Sequence, residues 1–326
     1  MTTELRGPSS ASVSLIVLTK NEEIHIGRLL SSPAIKRLCK RVIIVDSFST
    51  DRTRTIATSL GAECYEHEFT SQASQLSWAL DTIEISTDWI IRLDADELIG
   101  EDLVDNVLLA ISSVDESVCG FEFNRRHVHD GRWVRFGGRY PLWLFRMWRT
   151  GKAMPDGRLM DEHMVLKEGV LDRIDGLFED RNVKSTSEFI LKHDSYATRE
   201  ALAVLSEDYF GQDWQASGSQ ARIKRLIKAG VYQRMPYPLA AFVYFVSRYI
   251  FGLGFLDGRA GLDYHVLQGF WYRYLVGVRI KEFRAILERV GSFPDVTNSR
   301  DFEAELLAAY KSGELAFQEA QVEHSE

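Results

Sequence analysis

The sequence predicts an α/β protein whose mostly parallel sheet is flanked by helices, followed by a C-terminal helical subdomain. Three short apolar runs rich in β-branched residues carry that prediction: 13–19 (VSLIVLT), 41–46 (RVIIVD) and 88–94 (DWIIRLD). Each ends in polar residues, and a helix-like pattern follows at 22–32, 51–60 and 101–112, with another at 71–85. Strands covered on both faces read as continuous apolar runs, and the βαβ alternation calls for parallel pairing.

The length of 326 residues exceeds what one typical domain needs. With 45% hydrophobic and 26% charged residues the chain can fill a core, which excludes a mainly disordered or low-complexity protein. The three cysteines, at 39, 64 and 119, have no metal-ligand spacing and fit a reducing compartment. The N-terminal MTTELRGPSSASVS has no apolar core of the kind a signal peptide needs, so export by that route is not expected. A net charge of −8 gives no reason to expect nucleic-acid binding.

The second stretch, 118–170, holds strand candidates at 118–124, 132–136, 142–147 and 162–167, separated by the turn signals Asp130-Gly131, Gly137-Gly138 and Gly151-Lys152. From about 185 onward the pattern is helical. The predicted organisation is a tail over 1–12, a sheet domain over 13–184, a helical, basic and aromatic region over 185–290, and a helical tail over 291–326.

In open parallel sheets ligands sit at the carboxyl ends of the strands. Here those ends carry Thr19-Lys20-Asn21-Glu22, Asp46-Ser47 and Asp94-Ala95-Asp96-Glu97. Asp94 and Asp96, one residue apart at a strand end, can both reach a divalent cation; oxygen ligands suit Mg²⁺ or Mn²⁺, which also hold phosphate oxygens. Alone, the run also reads as an acidic turn capping the helix near 101. Asp46 can accept from a base or ribose hydroxyl, and one of Ser49, Thr50 and Asp51 caps the next helix. Asp161 or Glu162 is a candidate general base. His193 can bind phosphate, orient a carboxylate or simply be structural. His127, His129 and Asp130 fall on a hairpin and read as a solvent-facing turn rather than a metal site. No GxGxxG follows the first strand, and neither GxxxxGK[ST] nor GxSxG occurs.

Taken together, Leu18–Glu23, Val45–Asp51 and Arg92–Glu97 resemble the family 2 glycosyltransferases of the GT-A fold. Met160–His163, Lys192–Ala197 and Gly254–Gly258 are similar to the bacterial branch that decorates lipopolysaccharide core, exopolysaccharide or lipid-linked repeat units. The resemblance spans about 13–283 and makes 13–184 a nucleotide-sugar-binding catalytic domain. It implies that Thr19, Asn21, Glu22, Asp46 and Ser47 line the nucleoside pocket and that Gln75 faces the donor. It implies Asp94 near ribose or metal, Asp96 on the metal, and Glu162 or Asp161 as base. The reaction implied is inverting transfer of one sugar from a nucleotide-sugar, UDP by default, to a glycolipid or polyprenyl-linked acceptor. The QxxRW signature of processive synthases is absent. The alternatives are a nucleotidyltransferase of similar fold and a catalytically silent scaffold of a polysaccharide assembly complex.

Residues 222–279 stand apart. They hold nine Lys/Arg against Asp257 and Asp263, a local charge of +7 that leaves −15 for the rest, and Tyr232–Tyr274 hold thirteen of 37 aromatics. Residues 238–256 are nearly all apolar, but Arg248, Gly252 and Gly254 interrupt them. This composition predicts a peripheral site on the inner face of the cytoplasmic membrane, with basic residues on anionic headgroups and aromatics at the interface. The alternative is a helical subdomain whose basic face binds acceptor phosphates.

Overall fold

A computed structural model describes residues 11–156, 164–210, 235–290, 296 and 298–323. The predicted bases Asp161 and Glu162 lie outside the described residues, as do residues 222–234 of the basic stretch predicted over 222–279. The chain divides into two compact units, Met1–Lys184 with Leu253–Gly261, and Ser185–Gly252 with Leu262–Glu326.

The first unit contains β1 (Val13–Thr19), α1 (Glu23–Ser31), α2 (Pro33–Leu38), β2 (Arg41–Asp46), α3 (Thr53–Ser59), β3 (Glu63–Glu66), α4 (Gln72–Thr82), β4 (Trp89–Arg92), β5 (Glu97–Ile99), α5 (Glu101–Ser113), β6 (Val118–His129), β7 (Arg132–Trp133), β8 (Trp143–Arg149), β9 (Ala153–Pro155), β10 (Met164–Leu166) and β11 (Val170–Arg181). Among the described residues nine strands form one sheet, in the order β3-β2-β1-β4-β8-β6-β11-β5 with β7 beside β6. The predicted strands β2, β1 and β4 pair in parallel, and β3, absent from the predicted strands, adds a further parallel strand beside β2. Beyond β4 the pairing is mixed: β8 runs antiparallel to β4 and β6, β11 parallel to β6, and β5 antiparallel to β11.

Burial on both faces explains the apolar runs. Side chains alternate along a strand. Val13, Leu15 and Val17 therefore pack with Ile26, Leu29, Leu103 and Val107 of α1 and α5. Ile16 joins Ile43, Val45, Leu76, Ala79 and Trp148 on the opposite face. Helix α4 starts where the Ser71 hydroxyl accepts from Ser74 N at 3.0 Å. Strand β11 bulges at Gly176, whose φ is +122°. A Cβ there would meet the Leu103 backbone at 3.0 Å, so α5 lies against the strand only because the residue is glycine.

Asp257, in the run Gly254–Gly258 singled out above, accepts from Arg135 N at 3.0 Å and Phe136 N at 2.9 Å. Its carboxylate thus ties the returning segment Leu253–Gly261 to the loop after β7.

The second unit is helical: α6 (Thr186–Phe210), α7 (Tyr237–Val246) with a π-helical turn over Ser247–Phe251, a π-helical run His265–Trp271 leading into α8 (Tyr272–Val290), and α9 (Ser299–Glu323). Leu202 and Leu205 of α6 pack with Phe283 and Ile286 of α8 and with Phe302 and Leu306 of α9. The predicted headgroup-binding role needs correction at two arginines. Arg273 pairs with Glu200 at 2.6 Å and Arg279 with Asp194 at 2.8 Å, so both are committed to holding α8 on α6.

Candidate active site

The loops after β1 and β2 are stitched together by side chains. Thr19 donates its hydroxyl to Asp46 Oδ2 at 2.7 Å; Ser49 donates its N–H to Oδ1 at 2.7 Å and its hydroxyl to Oδ2 at 2.6 Å. Gln75, reaching over from α4, donates to Val45 O and to Ser47 Oγ, both at 2.8 Å. Asn21 takes Thr50 N on its Oδ1 at 2.9 Å and donates its own N–H to Ser49 Oγ at 2.8 Å. These residues, which the resemblance assigns to one pocket, therefore lie side by side. Their orientation is different from the expected pocket wall. Asp46, Gln75, Thr19 and Ser47 are 0–3% exposed. They form the floor of a cradle, and a direct base contact from Asp46 does not fit that burial.

Glu22 is also held from behind. Val183 N donates to His25 Nε2 at 3.1 Å. The proton of a neutral His25 must then sit on Nδ1, which lies 2.6 Å from Glu22 Oε2 and donates to it. Lys184 Nζ donates to Glu22 Oε1 at 2.8 Å and to Asn21 O at 2.9 Å. Burial pushes the Glu22 carboxyl up, and the bonds from His25 and Lys184 outweigh it, so the net shift is downward. Glu22 thus fastens the segment after β11 to the loop after β1.

At the end of β4 the chain turns through Asp94-Ala95-Asp96 into β5. Glu97 N donates to Asp94 O, and Asp94 N donates to Glu97 Oε2, each at 2.9 Å. Arg92 and Arg146 approach the two Asp94 oxygens at 3.3 Å, long contacts that leave the carboxylate 37% exposed. Arg146 also forms a close ion pair with Glu97, which is 1% exposed. Burial pushes Glu97 above the usual carboxylate range; Arg146 opposes that shift and Asp94 adds to it. The Asp96 main chain is pinned by Arg181 N at 3.0 Å on its carbonyl.

Two half-exposed carboxylates on one tight turn are hard oxygen donors, and that set fits Mg²⁺ or Mn²⁺, which take few protein ligands and keep waters or phosphate oxygens. Among the described residues no group of three or more His, Cys, Asp or Glu could enclose a metal ion unaided.

Arg125 and Asp180, on strands near the turn, carry no signal in the sequence. On β6 and β11, His127 Nδ1 lies 3.0 Å from Asp180 Oδ2 and Arg125 3.3 Å from the same oxygen. Burial works to raise the Asp180 carboxyl, but His127, Arg125 and Arg139 outweigh it and hold the group well below the usual range. His127 is therefore half-buried on a charged ladder, which corrects the solvent-facing turn. The turn itself is where the sequence puts it, with φ of +48° and +70° at Asp130 and Gly131. His193 lies in the second unit. Its Nδ1 donates to Phe189 O at 2.8 Å and its ring stacks on Phe189 at 3.7 Å.

The chain is similar to an uncharacterised glycosyltransferase of Rickettsia bellii, 38% identical over 104 residues, which is 32% of this chain and 34% of that protein. An uncharacterised glycosyltransferase of Rickettsia typhi is 36% identical over 95 residues, 29% of this chain and 31% of that one. The matched stretch thus spans about a third of these curated relatives. Among solved structures, mannosyl-3-phosphoglycerate synthase from Rubrobacter xylanophilus is 18% identical with a TM-score of 0.41, covering 65% of this chain and 80% of that one. Glucosyl-3-phosphoglycerate synthase from Mycobacterium tuberculosis, crystallised with Mn²⁺, UDP and glucosyl-3-phosphoglycerate, is 20% identical with a TM-score of 0.31, covering 36% and 45%. The family model described as Glycosyl transferase family 2 matches residues 14–164, a span that takes in all three polar strand ends.

Proposed function

We propose that the protein is an inverting glycosyltransferase that moves one sugar from a nucleotide-sugar, UDP-linked by default, to a lipid-linked, lipopolysaccharide or exopolysaccharide acceptor. The observation that carries this reading is the Asp94–Asp96 turn at the carboxyl end of β4, on the sheet whose neighbouring strand ends, together with Gln75 of α4, form the Thr19–Asp46–Gln75 cradle. The acceptor hydroxyl attacks the anomeric carbon on the face opposite the nucleoside diphosphate. The bond from that carbon to the phosphate oxygen breaks, and the hydroxyl proton passes to Glu162 or Asp161. Asp96 with Asp94 would hold Mg²⁺ or Mn²⁺, which supplies charge neutralisation at the departing diphosphate. Arg146, Arg92 and Glu97 hold the turn in place, and positioning with fixed charges provides most of the rate. Calorimetry against UDP, GDP and dTDP, with and without Mn²⁺, tests the reading. Metal-dependent binding of one nucleotide supports it, and binding of none overturns it.

The acceptor side of the proposal rests on the second unit. Leu239, Phe242 and Ile250 are 49%, 54% and 47% exposed, and Phe251 is 80% exposed. Among the described residues no single helix is long and apolar enough to cross a membrane; only Tyr237–Phe251 and Gly254–Val290, bent by 69° at their break, reach that length and composition together. A surface-lying helix is the arrangement such residues suit. The double substitution Phe242→Asp and Phe251→Asp should weaken flotation with phosphatidylglycerol vesicles by about tenfold or more, given the apolar area each ring buries. Unchanged flotation would remove the membrane from the proposal and leave the transferase reading standing.

A further inference from the structure

We propose that the ring of Phe48 is the platform on which the nucleobase of the donor stacks, an assignment that rests on the glycosyltransferase reading. Phe48 follows the buried pair Asp46-Ser47 at the carboxyl end of β2, yet it is 52% exposed. Its φ is +56°, in the left-handed region that bulky L residues avoid and glycine enters freely. The strained residue is clamped on both sides. Lys20 Nζ donates to Ser47 O and Phe48 O, each at 2.7 Å, while Asp46 holds the N–H and hydroxyl of Ser49.

A glycine would remove the strain, and a polar side chain would remove the exposed apolar surface. The chain has neither, although local hydrogen bonds over-determine the loop around this position. Strain that the surroundings enforce at a candidate site points to a use for the side chain. The chemistry of the ring defines that use. A free aromatic face pairs with another flat π-system, and every nucleobase presents one. A phosphate or sugar calls instead for N–H donors and charges, which the Asp94–Asp96 turn and its arginines provide at a different strand end. Asn21 and Thr50 are exposed beside Phe48 and offer polar groups to the edge of a stacked base.

The test is calorimetry on the full chain with Mn²⁺, comparing the nucleoside diphosphate that the wild type prefers with inorganic pyrophosphate, which has no base. Phe48→Gly should weaken nucleotide binding by about tenfold or more, the usual effect of losing one base–aromatic stack. It should leave pyrophosphate binding unchanged and should not lower the melting temperature. Phe48→Asn, the non-glycine residue most at ease with this φ, should behave in the same way. Phe48→Trp should keep nucleotide affinity. Nucleotide binding unaltered in Phe48→Gly overturns the proposal. So does an equal loss of nucleotide and pyrophosphate, which would mean that the ring only shapes the loop. A wild type that binds pyrophosphate but no nucleotide also overturns it, whereas a wild type that binds none of these probes overturns the glycosyltransferase reading itself.

Discussion

Asp96→Ala is expected to lower kcat by about 10²–10³-fold, the range seen when one preorganised charge-stabilising group is removed from an active site. The Asp96 carboxylate supports the charge of Arg28, but the turn has a main-chain anchor as well. The carbonyl of Asp96 is anchored by Arg181 N at 3.0 Å and by Arg28 at 3.4 Å, so the turn is held through the main chain and survives loss of the side chain. Asp94 is a poorer choice, because its removal leaves Arg92 and Arg146 with less compensating charge. Under the proposed division of roles, Asp96→Ala should also abolish the Mn²⁺-dependent part of nucleotide affinity measured by calorimetry. Glu162→Gln should stop transfer and leave that affinity intact. Wild-type turnover in both variants would remove the proposed carboxylate assignments.

The contrast between these carboxylates and their surroundings shows what a sequence can reveal about such a site. β1, β2 and β4 are legible because burial on both faces makes each an unbroken apolar run. β11 is not, since Asp172, Arg173 and Asp175 interrupt it on an exposed stretch and Gly176 breaks its register. β5 is only three residues long. Asp94 and Asp96 stand out as acids at the end of an apolar strand, a local signal. Arg146 sits within the run WLFRMWR and becomes meaningful only through a partner 49 positions away. Lys184 and Glu22 are 162 positions apart, so the fastening role of Glu22 has no local signal in the sequence. Arg273 and Arg279 read as part of a basic surface for the same reason, because Glu200 and Asp194 are distant in sequence. Local chemistry is therefore readable, and long-range pairing of charges is not.

That pairing makes the Glu97–Arg146 bridge the most sensitive structural element of the site. Glu97 is 1% exposed and Arg146 8%, and each is the other's main compensation. Removing one partner of a buried pair leaves an uncompensated charge and costs about 3–5 kcal/mol, so Glu97→Ala or Arg146→Met alone should lower the denaturation midpoint sharply. Asp94 lies next to Arg146 and lessens the loss for Glu97→Ala, but at 3.3 Å and 37% exposure it is a weaker partner than the one removed. Replacing both residues with apolar ones, Glu97→Leu with Arg146→Met, removes both charges together and should recover most of the stability, because apolar replacements of buried ion pairs are often neutral or stabilising. Activity should not recover with it. The double variant still lacks the Glu97 oxygen that takes Asp94 N at 2.9 Å and the guanidinium that faces Asp94 Oδ2. Asp94 then loses two of the contacts that orient it, and positional errors near 1 Å cost about a hundredfold in rate. Paired urea melts and initial rates on the three variants check this. Stability restored with transfer still depressed would mean the bridge exists to aim Asp94, while recovery of both together would make it a fold element alone.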